Sequence, residues 1–299
     1  MNAIAPSPQA PAPSEAQAPF AERRLGRLIG SEISGLDLKQ PLAPEIVEAL
    51  KARLFDRGVL YFRNQHLDTE QQIAFTSHFG EVRGYDGGAP RPAVWDSRKG
   101  IHGRVARWHA DGTHLEAPAT INTINPVVLP DGGGGDTIWA STSAAYDRLS
   151  PPLQRLAEKL TAIHATTPLR AQDWPQGFGG KFIWSEHPVV TVHPVTGRKA
   201  LFVSPRYTPE IVGLRPNESA DLLKVLFNHI ALPEHQVRII WEPGALVLWD
   251  NRITQHYAVD DYDDDLRVVH NVGVKGEPRV GVNGLRSRLG AVIPTEELV

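Results

Sequence analysis

The sequence predicts a mainly β fold with flanking α-helices, built as a sandwich or barrel, and three observations lead there. Short runs rich in Val, Ile, Trp and Thr, bounded by Gly, Pro and Asp, recur through the second half of the chain. Helical periodicity is confined to a few stretches between them. The runs do not alternate with helices in the manner of parallel βαβ units, so a doubly wound sheet is not expected.

Taken in order, residues 1–21 carry alternating Ala, Pro, Ser and Gln, with Pro6, Pro8, Pro11, Pro13 and Pro19 denying the backbone regular hydrogen bonding. A disordered tail is expected there, followed by one domain over 22–299. From Leu25, apolar residues separated by Gly30 and Gly35 predict short strands and tight turns. Pro44 at a first helical turn, with Ile46, Val47, Leu50 and Leu54 behind it, predicts an amphipathic helix to Arg57, which Gly58 ends. Val59 to Phe62 reads as a buried strand, and a second helix is expected from about Thr69 to Phe79, capped by Asp68 or Thr69 and stopped by Gly80.

Residues 82–105 hold many Gly, Pro and Arg without a period, and residues 166–185, with Trp174, Gly177, Gly179 and Gly180, are alike. Both are expected to be loops that cover the site, the second a mobile lid. Strands are predicted over Ala119–Leu129, Thr137–Ala140, Val189–Val192, Ala200–Val203, Val237–Trp241 and Ala245–Trp249, with turns at Thr196-Gly197 and Glu242-Pro243-Gly244. Further helices are expected at Pro151, capped by Ser150, and behind Asn217, where Leu222, Leu223, Leu226 and Ile230 share a face.

Composition narrows the function. A net charge of -3 offers no general attraction to nucleic acid or to anionic membranes, and no apolar run is long enough to span a bilayer. The start of the chain lacks the basic and apolar stretches of a secretory signal, so a cytoplasmic enzyme or binding protein is expected. With no cysteine, any metal site must be built from His, Asp and Glu.

With twelve histidines, roughly one His-x-Asp match is expected by chance, and the chain has two. His66-Leu67-Asp68 places its aspartate to cap a helix, which is a structural role. His109 and Asp111 instead fall in or beside an extended segment, where residues i and i+2 share a face. His256 is the third candidate ligand, and two imidazoles with one carboxylate form the set associated with non-haem Fe(II) oxygenases. Asp260 to Asp265 lacks the pattern of a calcium loop and reads as a solvated turn, and Gly132 to Gly135 lacks the Lys-Ser/Thr of a phosphate loop. His187 and His193, each followed by proline, suit turn or packing roles.

Trp108-His109-Ala110-Asp111, Gly134-Gly135-Asp136-Thr137 with Ile138-Trp139, His187-Pro188-Val189-Val190 with His193-Pro194, and Trp249-Asp250-Asn251-Arg252 through Gln255-His256 occur together and in order. In this the chain from about Leu25 to Gly284 resembles the Fe(II)/2-oxoglutarate-dependent dioxygenases of the taurine, alkylsulfate and phenoxyacetate dioxygenase family. The resemblance implies a double-stranded β-helix (jelly roll, cupin-like), with Fe(II) on His109, Asp111 and His256 and O2 as co-substrate. It implies that Arg267 meets the distal carboxylate of 2-oxoglutarate, with Thr137 adding a hydrogen bond. A guanidinium suits that role because it pairs with a carboxylate bidentately. Read without the family, Arg267 is a surface residue beside the acidic turn. The implied reaction couples decarboxylation of 2-oxoglutarate to hydroxylation of a small molecule, and the family implies association into dimers or tetramers.

Substrate choice departs from the sulfonate and alkylsulfate members, which carry a second arginine where this chain has Asn271. Tyr85 stands where a sulfonate-binding histidine is expected, Gly112 replaces a bulkier residue, and Tyr207 takes an aromatic pocket position. A neutral amide cannot supply the charge that a desolvated sulfonate needs. A bulky, largely apolar metabolite, such as a terpenoid, is therefore expected. Arg83, Arg91, Arg104 and Arg206 keep sulfonate, alkylsulfate or aryloxy-carboxylate substrates in contention. From other classes, a zinc hydrolase would share the three ligands without needing Thr137 and Arg267, and a non-catalytic jelly-roll binding protein would tolerate loss of metal.

Overall fold

The computed structural model describes residues 19–84, 88–99, 105–166, 181–290 and 293–294. Its strands are β1 Ala21–Arg24, β2 Ser31–Ser34, β3 Val59–Phe62, β4 Val82–Arg83, β5 Ala93–Asp96, β6 Ile121–Val128, β7 Thr137–Ser141, β8 Thr161–Ala165, β9 Lys181–Phe182 and β10 Trp184–Pro188. They continue with β11 Val190–Val192, β12 Lys199–Leu201, β13 Glu210–Ile211, β14 Gln236–Ile239, β15 Leu246–Asp250, β16 Thr254–Ala258, β17 Val268–Val274, β18 Arg288–Leu289 and β19 Ile293–Pro294. The helices are α1 Pro44–Arg57, α2 Thr69–Ser77, α3 Thr142–Asp147, α4 Pro151–Ala157 and α5 Pro216–Ile230. The mainly β architecture with flanking helices is the expected one, and among the described residues no helix is long and apolar enough to cross a membrane.

The largest sheet runs β1-β2-β3-β15-β6-β17-β4, with β5 also on β17, and a smaller sheet runs β14-β7-β16. Two core layers explain why the central strands read as unbroken apolar runs. Leu60, Phe62, Leu246 and Leu248 point to one face, where Leu50 and Leu54 of α1 and Phe75 of α2 cover them. The alternate residues Val59, Tyr61, Val247 and Trp249 point to the other, against Trp139 of β7 and Val237 and Ile239 of β14. A third cluster joins α5 through Leu223, Leu226 and Ile230 to Val190, Leu201 and Ala140.

Local chemistry sets the ends of α2. Asp68 Oδ1 accepts a hydrogen bond from the Gln71 amide at 2.8 Å, and the Asp68 amide donates in return to Gln71 Oε1 at 3.0 Å, a reciprocal cap that agrees with the structural reading of His66-Leu67-Asp68. Elsewhere the structure departs from expectation. Residues 82–105 are not all loop, because β4 and β5 pair with β17. In residues 166–185, β9 and the start of β10 are strand, Thr166 bonds to the Ile183 backbone, and residues 167–180 of the expected lid, Trp174 included, lie outside the described residues. The expected strand at Ala200–Val203 is shifted to Lys199–Leu201, α5 starts at Pro216 behind Arg215 where Asn217 was expected, and Ser150 caps α4 by position with no side-chain bond. Among the described residues one parallel crossover is present, since β2 and β3 run parallel on either side of α1.

Candidate active site

His109 and His256 face each other across an isolated antiparallel bridge, with backbone bonds of 3.0 and 2.8 Å in the two directions. Across β16 and β7, His256 is paired with Trp139, so Trp139, His256 and His109 form a row across β7, β16 and the bridging segment. Asp111 follows two residues after His109, where the extended chain ends in a turn that Gly112 continues with φ 68°. The ligand atoms of His109, Asp111 and His256 all lie within 4.8 Å of one another. Asp111 Oδ1 is 3.6 Å from His109 Nε2 and 3.7 Å from His256 Nε2.

The donor set fits a divalent transition metal. His109 Nδ1 lies 2.7 Å from the Arg107 carbonyl, a bond that only a protonated Nδ1 can make, so Nε2 keeps its lone pair. Burial holds the His109 imidazole well below its ordinary pKa, with His256 and Arg206 adding in the same direction. Burial also lowers that of His256, although Asp111 opposes it. Both rings are thus neutral and able to ligate. His256 stacks on Trp139 at 6.1 Å and meets Trp249 edge-on at 5.3 Å, which fixes its plane.

Asp111 is held from every side by amides. Asn251 accepts from the Asp111 amide at 2.9 Å and donates to the Asp111 and Ala119 carbonyls, both at 3.0 Å. Asp111 Oδ2 accepts from Asn122 at 3.0 Å and from Asn271 at 2.8 Å. Beside Asn251, the buried Asp250 is bound by Arg252 through 2.8 and 2.6 Å bonds and by His193 at 2.9 Å. Burial pushes its carboxyl up, but the hydrogen bonds from Arg252 and His193 outweigh this and hold it at about 2. This cluster locks the turn between β15 and β16 just before His256.

Arg267, 4% exposed, precedes a bulge in β17 at Val268/Val269. It is thus buried, contrary to the surface position read from the sequence alone. Its Nε donates to the Gly135 carbonyl at 2.8 Å and its Nη2 to Thr137 Oγ1 at 3.5 Å. The nearby Asp136 pairs with Arg238 at 2.7 Å, and burial lowers the Arg267 pKa against the opposing pull of Tyr262 and Asp136. Trp241 Nε1 also donates to Thr137 Oγ1, at 3.1 Å, which leaves the Thr137 hydroxyl proton for another acceptor. The acidic turn, largely exposed as expected but with Tyr262 buried, also anchors the glycine loop: Asp261 accepts from the Gly135 amide at 2.7 Å and Asp265 from the Gly132 amide at 3.0 Å.

A cavity of about 320 Å³ opens at Asp111, lined among others by Gly112, Leu115, Ala119, Val274 and Asn271, with Arg83, Arg91 and Lys275 at the exposed side. Tyr207 is buried against His109 and His114, at ring distances of 6.1 and 5.4 Å, and is not among the described residues lining this cavity. Neither is Arg206, whose guanidinium lies over the Tyr207 ring at 5.2 Å. Tyr85 and Arg104 lie outside the described residues. His187 is a packing residue on β10, bonded to Ser287 at 2.6 Å and to the Thr113 carbonyl at 2.7 Å, and His193 packs in the Asp250 cluster. Asn122, Trp241 and Gly135 are the neighbours that sequence reasoning passed over or left without a role.

A family profile described as Taurine catabolism dioxygenase TauD, TfdA family, matches residues 21–274. An alpha-ketoglutarate-dependent sulfate ester dioxygenase of Pseudomonas putida is 38% identical over 279 residues, covering 87% of this chain and 91% of that protein. An alkylsulfatase of Acinetobacter baylyi is 36% identical over 284 residues, covering 89% and 88%. The crystal structure of a taurine dioxygenase from Burkholderia xenovorans superposes with a TM-score of 0.78 at 33% identity, covering 93% of this chain and 96% of that one. With that jelly-roll likeness and a His-Asp-His set of donors, the chain belongs to the TauD/TfdA family of alpha-ketoglutarate-dependent dioxygenases, enzymes that use Fe(II), 2-oxoglutarate and O2.

Proposed function

We propose that His109, Asp111 and His256 hold Fe(II), that Thr137 and Arg267 bind the distal carboxylate of 2-oxoglutarate, and that the cavity at Asp111 takes a small molecule whose aliphatic C–H is hydroxylated, with release of succinate and CO2. The observation that carries this is register. Thr137 is one two-residue step along β7 from Trp139, the partner of His256, so it sits roughly 7 Å along the strand from the iron ligands, the span of a five-carbon diacid. Arg267 beside it is a buried guanidinium bonded to a carbonyl and a hydroxyl, and a bound carboxylate would place a counter-charge directly against it.

When bound, iron with 2-oxoglutarate and dioxygen supplies an oxidant able to attack an unactivated carbon. The chain's own residues do the rest. Arg267 and the Thr137 proton orient the co-substrate, the imidazoles stay unprotonated, and the apolar walls around Asp111 keep water from the reacting carbon. Anaerobic addition of Fe(II) and 2-oxoglutarate is expected to give a visible metal-to-ligand charge-transfer band that is absent in Asp111→Ala. A wild-type chain without the band would remove the reading, and the zinc-hydrolase and binding-protein alternatives would then stand.

For the substrate, we infer a bulky and largely apolar metabolite, such as a terpenoid. Leu115, Ala117, Ala119 and Val274 wall the cavity, Gly112 and Gly273 leave it open, and Asn271 puts an amide near the iron ligands where a sulfonate would need a cation. A second reading rests on Arg83, Arg91 and Lys275 at the exposed side, and on the sulfate ester dioxygenase among the relatives: an anionic substrate held by its far end. Succinate formation across a panel of terpenoids, alkylsulfates, sulfonates and aryloxy-carboxylates separates them. Efficient turnover of taurine or short alkylsulfates would sink the apolar reading. The same proposal describes a cytoplasmic enzyme of small molecules that associates with copies of itself and has no nucleic-acid or membrane partner.

A further inference from the structure

Asn271 occupies the position from which relatives of the sulfonate type would present a cation to substrate, and its side chain is turned to a different partner. Asn271 Nδ2 donates to Asp111 Oδ2 at 2.8 Å, while its Oδ1 accepts from Asn122 Nδ2 at 3.1 Å. Asn122 Nδ2 also donates to Asp111 Oδ2 at 3.0 Å, which closes a ring of three side chains. The orientation of both amides follows from the carboxylate. An ionised Asp111 only accepts, so each amide must turn its NH2 to Oδ2, and turning Asn122 over would set its carbonyl against that oxygen. The arrangement leaves Asn122 Oδ1 buried without a partner, a penalty the structure accepts in exchange for two N–H groups on one carboxylate oxygen.

The strands place the ring. Asn122 lies on β6 and Asn271 on β17, which are adjacent, with Asn122 paired to Gly273, two residues along from Asn271. The Asn122 amide packs against the Gly273 backbone, where an added Cβ would make only an ordinary contact with it at 3.5 Å. Both asparagines therefore reach Asp111 from the sheet, whereas Asn251 holds its backbone from the opposite segment.

We propose that Asn271, with Asn122, is a positioning residue for the iron-binding carboxylate and not a ligand of the substrate. Resting on the iron site proposed above, the amide pair anchors Oδ2 and presents Oδ1 to the two imidazoles as the donor atom. Outer-sphere hydrogen bonds of this kind orient a ligand, and removing one typically weakens metal binding by about 10–100-fold. The pair also accounts for the missing anion site, since the amide group that faces the cavity is already engaged on both its oxygen and its nitrogen.

Anaerobic Fe(II) titration of the full chain with 2-oxoglutarate present, followed by the charge-transfer band, tests this in wild type, Asn271→Ala and Asn122→Ala. Both variants are expected to lose Fe(II) affinity by about tenfold or more and to shift the band, with far-UV circular dichroism unchanged. In the double variant the losses are expected to be less than additive, because the two amides share one oxygen. A wild-type band with unaltered iron affinity and band position in Asn271→Ala, and a raised substrate KM alone, would overturn the proposal and make Asn271 a substrate contact. A wild type with no band would instead remove the iron reading itself, and this proposal with it. Should Asn271→Ala not fold, Asn122→Ala decides on the same readout, since it donates to the same oxygen.

Discussion

A methyl group on Gly135 would lie 2.8 Å from Arg267 Cδ, and the residue's φ of 68° is one that side chains resist. Gly135→Ala is therefore expected to push Arg267 from its place and weaken 2-oxoglutarate binding by about tenfold, or ~1.4 kcal/mol. Fe(II) affinity should stay that of the wild type. Titrating the charge-transfer band with 2-oxoglutarate measures this, and an unchanged midpoint would mean that the loop gives way freely. The iron ligands, Thr137 and Arg267 were legible as residues because each sits in a motif whose chemistry is specific. What could not be read was their support. The acidic run beside Arg267 made a surface position the natural inference, and only the fold shows that Asp261 and Asp265 bind loop amides while Arg267 turns inward. Asn251 was visible inside its motif, yet its bonds to the Asp111 backbone join positions far apart in the chain.

Elements governed by local rules matched their reading. Helix α1 begins at its proline and ends at Gly58, α2 is closed by its reciprocal cap, and β3 and β15 are buried on both faces as their apolar runs required. The misses share a cause. Strand β4 has two residues and β5 four, and what makes them strands is pairing with β17, almost two hundred residues away, which no local pattern reports. Helix α3 is only six residues long, too short to show a period. The parallel pair of β2 and β3 was dismissed because a single crossover leaves no repeated alternation to detect.

At the scale of the whole molecule, the buried histidines set the response to acid. Burial lowers His187 from an ordinary 6.5 to about 4 and His114 to about 3, and it holds His164 well below its ordinary value. In an unfolded chain these groups take up protons as pH drops below 6.5, which the folded state refuses until about 4 for His187. Stability is thus complete above that window and falls as pH descends through it, with His187 alone contributing a loss on the order of 3 kcal/mol. Urea unfolding at neutral pH and near pH 4 should show this decline, and a smaller one in His187→Gln. Equal declines in the two proteins would place the sensitivity elsewhere.

The cavity follows the end of β17, where Asn271, Gly273 and Val274 line it and Lys275, just past the strand, lines it as well. Each two-residue step is roughly 6.6 Å, so Lys275 stands about 13 Å along the chain from the amide that touches Asp111. On the anionic reading the strand works as a ruler: a substrate gripped at the lysine end would be oxidised at a carbon chosen by distance from the grip. Lengthening the molecule would then move the oxidised position away from its apolar tip and keep the count from the anion constant.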